Sequence, residues 1–488
     1  MLGALIRRLV RDRRASRARH APAPADFEAV REALDRGDGG AARAAFSRLP
    51  PAAQLSSRGN ELAGLIEYDA GRFERASALL ECALAADPNR ATVHCNLGQC
   101  LQLLGELDAA ALHLSRALEL APGFRDAQRN LALVYYRAGD LGAAEALCRR
   151  TVLAEPDRAA THILLGEILL AQGRYAEAWP EFEWRREDIR VKRARSLHPA
   201  AQWNGEALPA GETLLLWTEQ GYGDMFQFAR FLPAAAARLP GVRLVVACPE
   251  SVQGLMRRVS GVGDAIAQAA NPEGAHRQAA LLSLPLRLGA DAAAVRNAGT
   301  YLRAEPARIE HYARRLQDTP APRVGLVWQS GRHTDIGHAD ALLNASRDID
   351  FGALAGALPQ GRLRYLNLQL EHGLAPRAFA ATGVEDWSGS IRDFEDTAAL
   401  LANLDLVVTV DTSVAHLAAA LGRPTWVLCR FDACWRWMKG AAASDWYPAA
   451  RRFFQHSPRD WSAALGALRA ELEGFGVQAR SGAIAHRS

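Results

Sequence analysis

No run in this chain approaches the roughly twenty consecutive apolar residues that a membrane-spanning helix needs. The seven cysteines (Cys82, Cys95, Cys100, Cys148, Cys248, Cys429 and Cys434) are odd in number and include no CxxC pair. They read as buried, reduced thiols of a cytosolic protein, which argues against a disulfide framework and against a zinc site. A basic surplus is missing from most of the sequence as well. The formal net charge is +4, yet the first twenty residues carry seven arginines against one aspartate, so the remainder is slightly acidic. Such a body lacks the basic stripe of a nucleic-acid surface, and no nucleic-acid partner is expected.

The arginine-rich head, MLGALIRRLVRDRRASRARH, has no unbroken apolar core of the signal-peptide kind. Two readings of this basic tail (1–22) stand: a solvated arm, or a short basic helix with Leu2, Leu5, Ile6 and Leu9 on one face, in peripheral contact with an anionic membrane. The expected location is cytoplasmic, with the inner face of the membrane as the alternative. At 488 residues the chain is too long for a single core.

What the sequence does contain is a period of thirty-four residues. Gly37, Gly71, Gly105, Gly139 and Gly173 keep that step, as do Ala42, Ala76, Ala110, Ala144 and Ala178, and Pro88, Pro122 and Pro156. A further series, Gly64, Gly98, Ala132 and Gly166, is small throughout. Each unit therefore reads as a helical hairpin. The small residue of the first helix and the alanine of the second let two backbones approach; the glycine ends the first helix and the proline closes the second. The pattern resembles the tetratricopeptide repeat over 23–190, with three clear units at 57–158, a fourth at 159–190 and a degenerate first one at 23–56. Such arrays hold extended peptides or protein partners, so a protein partner is expected there; support or dimerisation is the plainer alternative.

The period breaks at RREDIRVKRAR, and residues 191–211 read as a linker. Downstream, short apolar runs alternate with helical segments: 213–217, 242–248, 280–285, 323–328, 363–370, 405–410 and 424–429. Runs of this length between helices imply parallel strands buried on both faces. They form two series, 212–317 and 318–475, followed by a flexible tail (476–488). The expected fold class is thus an all-α repeat superhelix followed by an α/β module of two Rossmann-like domains, with ligands at the carboxyl ends of the strands.

Two turns carry chemistry. In DLVVTVDTSVAH a strand runs into Asp411, Thr412 and Ser413, and a helix follows with His416 one turn in. This is either an anion site built from backbone N–H groups and hydroxyls, or an ordinary N-cap. In LLLWTEQGYGDMF a strand runs into Gly221, Gly223 and Asp224. Phe226 stands where a dinucleotide fingerprint has its third glycine, and no lysine makes a P-loop. Asp224 at a helix start is stabilised as an anion and ready to accept a proton; a simple N-cap is the alternative. Trp435, Arg436, Trp437, Trp446 and Tyr447 form an aromatic segment suited to packing or to stacking on a sugar or base.

The stretch Asp411, Thr412, Ser413, His416, Ala418, Gly422 and Pro424 resembles the D-[TS]-[GAS]-x-x-H-x-A-x-x-x-G-x-P motif of glycosyltransferase family 9, the heptosyltransferases and their relatives. With VGLVW, LNLQ, WRWM and DWYP the likeness spans about residues 200–470. It implies a GT-B fold, a nucleotide-diphosphate sugar as co-substrate, no cofactor, no metal, and inversion at the anomeric carbon. By position it implies Thr412 and Ser413 on the donor diphosphate, with Asp411 and His416 shaping the loop. Arg347 would face the leaving phosphates, Gln369 would reach the donor, and Asp224 would act on the acceptor side as general base, its turn opened by Gly221 and Gly223. Glu219 in the same turn is its nearest competitor. Ser413 replaces the glycine many members carry, and the fused repeats are similar in architecture to protein O-GlcNAc transferases. The expected activity is sugar transfer to a protein or glycan acceptor recruited by the repeats; the alternative is a non-catalytic repeat scaffold.

Overall fold

The computed structural model describes residues 24–272, 274–320, 322–331, 337–371 and 373–480. The basic head lies outside the described residues. The chain forms two units, one holding the described residues up to Ala154 together with 337–343, the other holding the rest from Glu155 onward.

The first unit is helical: α1 (Pro24–Asp35), α2 (Gly39–Ser47), α3 (Ser57–Asp69), α4 (Phe73–Ala86), α5 (Ala91–Leu104), α6 (Leu107–Leu120), α7 (Arg125–Ala138) and α8 (Leu141–Ala154). They pair as consecutive hairpins. The residues repeating every thirty-four positions do the work their types suggest. Gly37, Gly71, Gly105 and Gly139 all adopt positive φ, between 70° and 93°, and end the first helix of each pair in the left-handed region. Ala42, Ala76, Ala110 and Ala144 are completely buried where the second helix meets the first. The seam leaves no space for a larger residue: a Cβ on Gly98 would sit 2.6 Å from Leu114 Cγ and 3.2 Å from the Ala110 carbonyl.

The second unit opens with one more hairpin, α9 (Ala159–Ala171) and α10 (Tyr175–Glu183), and continues into two parallel sheets. The first contains β1 (Ala201–Gln202), β2 (Thr213–Trp217), β3 (Arg243–Cys248), β4 (Val262–Ala267) and β5 (Ala275–Ala280) in the order β1-β5-β2-β3-β4. The second contains β6 (Arg323–Val327), β7 (Arg364–Asn367), β8 (Val384–Asp386), β9 (Leu406–Val410), β10 (Thr425–Cys429) and β11 (Arg451–Phe454) in the order β11-β10-β9-β6-β7-β8. TLLLW, LVVTV and TWVLC are buried at every position, as central parallel strands must be.

Three local expectations change. Residues 280–285 are not a strand: β5 ends at Ala280, and Leu281–Ser283 turns into the helix Leu284–Leu288 with Pro285 in its first turn, where its missing N–H costs nothing. The segment expected as a linker holds the end of a helix, Ile189–Ser196, and the edge strand β1, which pairs with β5. The final helix runs Ser462–Arg480, into the stretch expected as flexible tail.

In each sheet the chain leaves in one direction and later returns on the other side of a central strand, β2 in the first sheet and β6 in the second. Those reversals fall between β2 and β5 and between β6 and β9. Loops diverge there, leaving a crevice beyond the strand ends.

The tight Gly98 seam gives a first prediction. Gly98→Val forces buried Leu114 off its packing and is expected to cost about 1–3 kcal/mol of stability, partly recovered in Gly98→Val/Leu114→Ala. Thermal melting of the parent, Gly98→Val, Leu114→Ala and the double variant reads this out; equal melting temperatures for the parent and Gly98→Val would contradict it.

Candidate functional site

A cavity of about 680 Å³ lies at those strand ends, lined by the loops that follow β2, β6, β7, β9 and β10. It gathers every site residue anticipated from the sequence: Gly221, Gly223, Asp224, Arg347, Gln369, Asp411, Thr412, Ser413 and His416.

On one wall, β2 leads to α11 (Tyr222–Phe228), with Gly221 as the extended N-cap at φ −67° and ψ 170°. Asp224 stands in the first turn of α11, and one of its oxygens accepts from the Arg436 guanidinium. Glu219 does not compete for the cavity. Its side chain is fully buried and paired with Arg185 at 2.7 Å, and Arg185 also binds Glu183 and Ser283. Burial raises the Glu219 carboxyl above its ordinary value despite Arg185. Nothing in the sequence separates these two acids, because Arg185 reaches Glu219 only through the tertiary fold.

On the facing wall, β9 leads to α12 (Ser413–Ala420), with Thr412 as N-cap at φ −137° and ψ 174°. The Thr412 hydroxyl makes no cap bond and lies 3.2 Å from that of Thr409. Arg347 Nη1 donates to the Asp411 carbonyl at 3.3 Å, while its Nε is buried without a partner. Burial alone would raise the Asp411 carboxyl; the Arg347 charge, together with smaller contributions from neighbours that include Trp437 and Arg436, outweighs it and holds the group below its usual range.

His416 is set behind the turn. Its ring stacks on Trp437 with centroids 5.2 Å apart, and Nδ1 lies 3.1 Å from the Tyr447 hydroxyl. Burial pushes its pKa down to about 4, against the pull of Asp411, so the ring is neutral at ordinary pH. It braces the loop and carries no charge toward an anion. A Cβ on Gly223 would lie 2.8 Å from His416 Cδ2. This glycine therefore serves the approach of α11 to α12. Gln369 spends its side chain on backbone: Oε1 accepts from Trp328 and Gln329 N–H at 3.2 and 2.9 Å, and Nε2 donates to the Leu370 carbonyl. It caps β6 as a strand-end residue would.

Two contributors were not singled out from sequence. Arg436 was seen only as part of an aromatic segment, and its position after β10, at a carboxyl strand end, was the available signal. Glu167 on α9, a helix that packs on the Trp435–Trp437 turn, lies within electrostatic reach of Arg436 and Asp224. The aromatic segment itself is packing: Trp435, Trp437, Trp446 and Tyr447 are buried. Among the described residues, no group of three or more His, Cys, Asp and Glu side chains gathers where it could hold a metal ion, and no helix is long and apolar enough to cross a membrane.

Against known proteins, residues 62–124, 104–154 and 129–183 match a tetratricopeptide repeat model. Residues 392–428, which include β9 and the Asp411–His416 turn, match glycosyltransferase family 9 (heptosyltransferase). Protein FlbA of Caulobacter vibrioides (strain ATCC 19089 / CIP 103742 / CB 15) is 30% identical over 436 residues, covering 83% of this chain and 70% of FlbA. The chain belongs to the FlbA family. It joins N-terminal tetratricopeptide repeats to a C-terminal domain of the family 9 kind. Among solved structures, MamA is 22% identical with a TM-score of 0.29, over 34% of this chain and 96% of its own. Pseudomonas aeruginosa pilF is 18% identical with a TM-score of 0.31, over 36% and 78%.

Glu167 yields a pH prediction. Burial, reinforced by Asp224 and opposed by Arg436, raises its pKa from 4.5 to about 7. Between those values the folded chain holds a proton that the unfolded chain has released, so stability from this group is complete below about 4.5 and is lost as pH rises toward 7. Glu167→Gln is therefore expected to melt a few degrees higher than the parent at pH 8, with the gain shrinking toward pH 5. A gain that grows as pH falls would contradict the assignment.

Proposed function

We propose that this protein is a glycosyltransferase of GT-B arrangement that moves a sugar from a nucleotide-diphosphate donor to a protein or glycan hydroxyl. One observation carries the reading: an acid, Asp224, and an uncapped helix start with an arginine, Arg347, beside it face one cavity, Asp224 and Thr412 standing nearly two hundred residues apart. In this reading the donor diphosphate lies on the N–H groups and hydroxyls of Thr412 and Ser413, with Arg347 beside it. Asp224 takes the proton from the acceptor hydroxyl as the oxygen attacks the anomeric carbon from the opposite face, which inverts the centre. The bond from that carbon to the phosphate oxygen breaks, and its electron pair leaves with the nucleoside diphosphate. Arg347 and the α12 dipole offset the charge that develops there, the role a metal ion takes in other transferases. The repeats recruit the acceptor or a partner, and the setting is cytoplasmic.

A panel of nucleotide-diphosphate sugars, scored for hydrolysis and transfer, tests this. At least one donor should be turned over, and Asp224→Ala should lower kcat by about a hundredfold or more. Equal turnover by both proteins would remove Asp224 from the mechanism. Nucleotide binding without turnover of any donor would favour a repeat scaffold.

A further inference from the structure

We propose that Arg436 is a second diphosphate-binding residue of this cavity, and that Asp224 and the donor compete for it, so that donor entry releases Asp224 for the acceptor. The proposal rests on the glycosyltransferase reading above and adds to it a residue and an order of binding.

The geometry is that of a fixed cation with an exchangeable partner. The Arg436 guanidinium carbon lies 4.1 Å from the centre of the Trp435 ring, and Trp435 is itself buried. Nε donates to Gln227 Oε1 at 2.9 Å, which sets the plane of the fork. Neither contact involves Asp224, so the guanidinium keeps its place whether or not that carboxylate is paired. Its outer edge lines the cavity beside Cys434 and Asp411, and Nη2 donates to Asp224.

Charge decides what else would go there. A nucleoside diphosphate carries two to three negative charges, whereas a helix start supplies only about half a positive charge and Arg347 one more. The Asp411 carboxylate in the same cavity offsets part of that, so a second guanidinium is needed to favour the anion, and its planar fork fits phosphate oxygens bidentately. The nearest anion to that fork is Asp224, and Nη2 donates to it. An oxygen so engaged is poorly placed to accept a proton. A diphosphate drawing on the same guanidinium weakens the hold on Asp224 before the acceptor arrives. No bond to Arg436 forms or breaks in the transfer: the acceptor proton passes to Asp224, and the leaving electron pair goes to the nucleoside diphosphate.

Competition gives a result that a permanent structural ion pair would not. Binding of ADP, GDP and UDP is measured by calorimetry on the full chain and on Asp224→Asn, Arg436→Lys and Arg436→Met, each confirmed folded by its melting curve. Asp224→Asn, which keeps the shape and removes the rival charge, should tighten the preferred nucleotide by roughly three- to tenfold. Arg436→Met should weaken it by at least about tenfold, with Arg436→Lys between. In the Arg436→Met background, Asp224→Asn should change nothing. Unchanged or weaker binding by Asp224→Asn, with the parent binding normally, overturns this proposal and leaves the transferase reading intact. Failure of the parent to bind any of the three at millimolar concentration overturns both.

Discussion

The cavity exists because two helix starts are brought side by side, and the contact that permits it is Gly223 against His416. A methyl group at that position would lie inside van der Waals distance of an imidazole that cannot retreat, since it is stacked on Trp437 and bonded to Tyr447. Two N-termini in one place concentrate the positive ends of two helix dipoles, and the two ends are treated differently. α11 has Asp224 in its first turn and so carries its own anion. The first turn of α12 has no acidic residue, and the Thr412 side chain leaves its N–H groups uncapped. One helix start thus carries its own carboxylate while the other does not, and the two ends of the cavity differ in charge for that reason.

The buried aromatic layer behind the cavity supports that electrostatic arrangement. Trp435, Trp446, Phe228 and Trp179 meet edge to face or at a tilt, each worth about 2–3 kcal/mol of burial and roughly 0.5–1.5 kcal/mol more per ring pair. Arg436 takes its position from the Trp435 ring and from Gln227, contacts that do not involve Asp224, so the packing fixes the guanidinium and the partly shielded ion pair occupies it. The neutral His416 belongs to the same layer and braces the turn from behind, stacked on Trp437 and bonded to Tyr447.

What could be read from sequence follows a physical rule. The repeat was legible because each periodic residue answers to a contact within its own hairpin, such as Gly98 on Leu114. The central strands were legible because burial on both faces leaves them wholly apolar. β1, β4 and β5 were not: they are short, edge-lying or half-exposed, and AHRQAA looks like a loop. Leu281–Leu288 misled in the opposite direction, being apolar but helical. At the cavity, strand-turn-helix segments announced GYGD and DTSVAH. The pairing of Asp224 with Arg436, 212 residues on, and of Glu219 with Arg185 had no local trace.

The thirty-four-residue period also hides a boundary. In sequence it continues evenly to Ala178, yet α9 and α10 are part of the core of the second unit. The Trp179 indole donates to the Ala290 carbonyl at 2.7 Å, Tyr175 donates to Asp445 at 3.1 Å, and Phe182 lies parallel to Phe228. Arg185, just beyond the hairpin, satisfies the buried Glu219 in the very turn that presents Asp224. Without that hairpin, Glu219 would be a buried carboxylate with no cation, costing several kcal/mol, and the turn would have reason to rearrange. The last repeat therefore does two jobs with one pair of helices: its small-residue seam repeats the pattern of the array, and its aromatic and charged residues hold the acid loop in place.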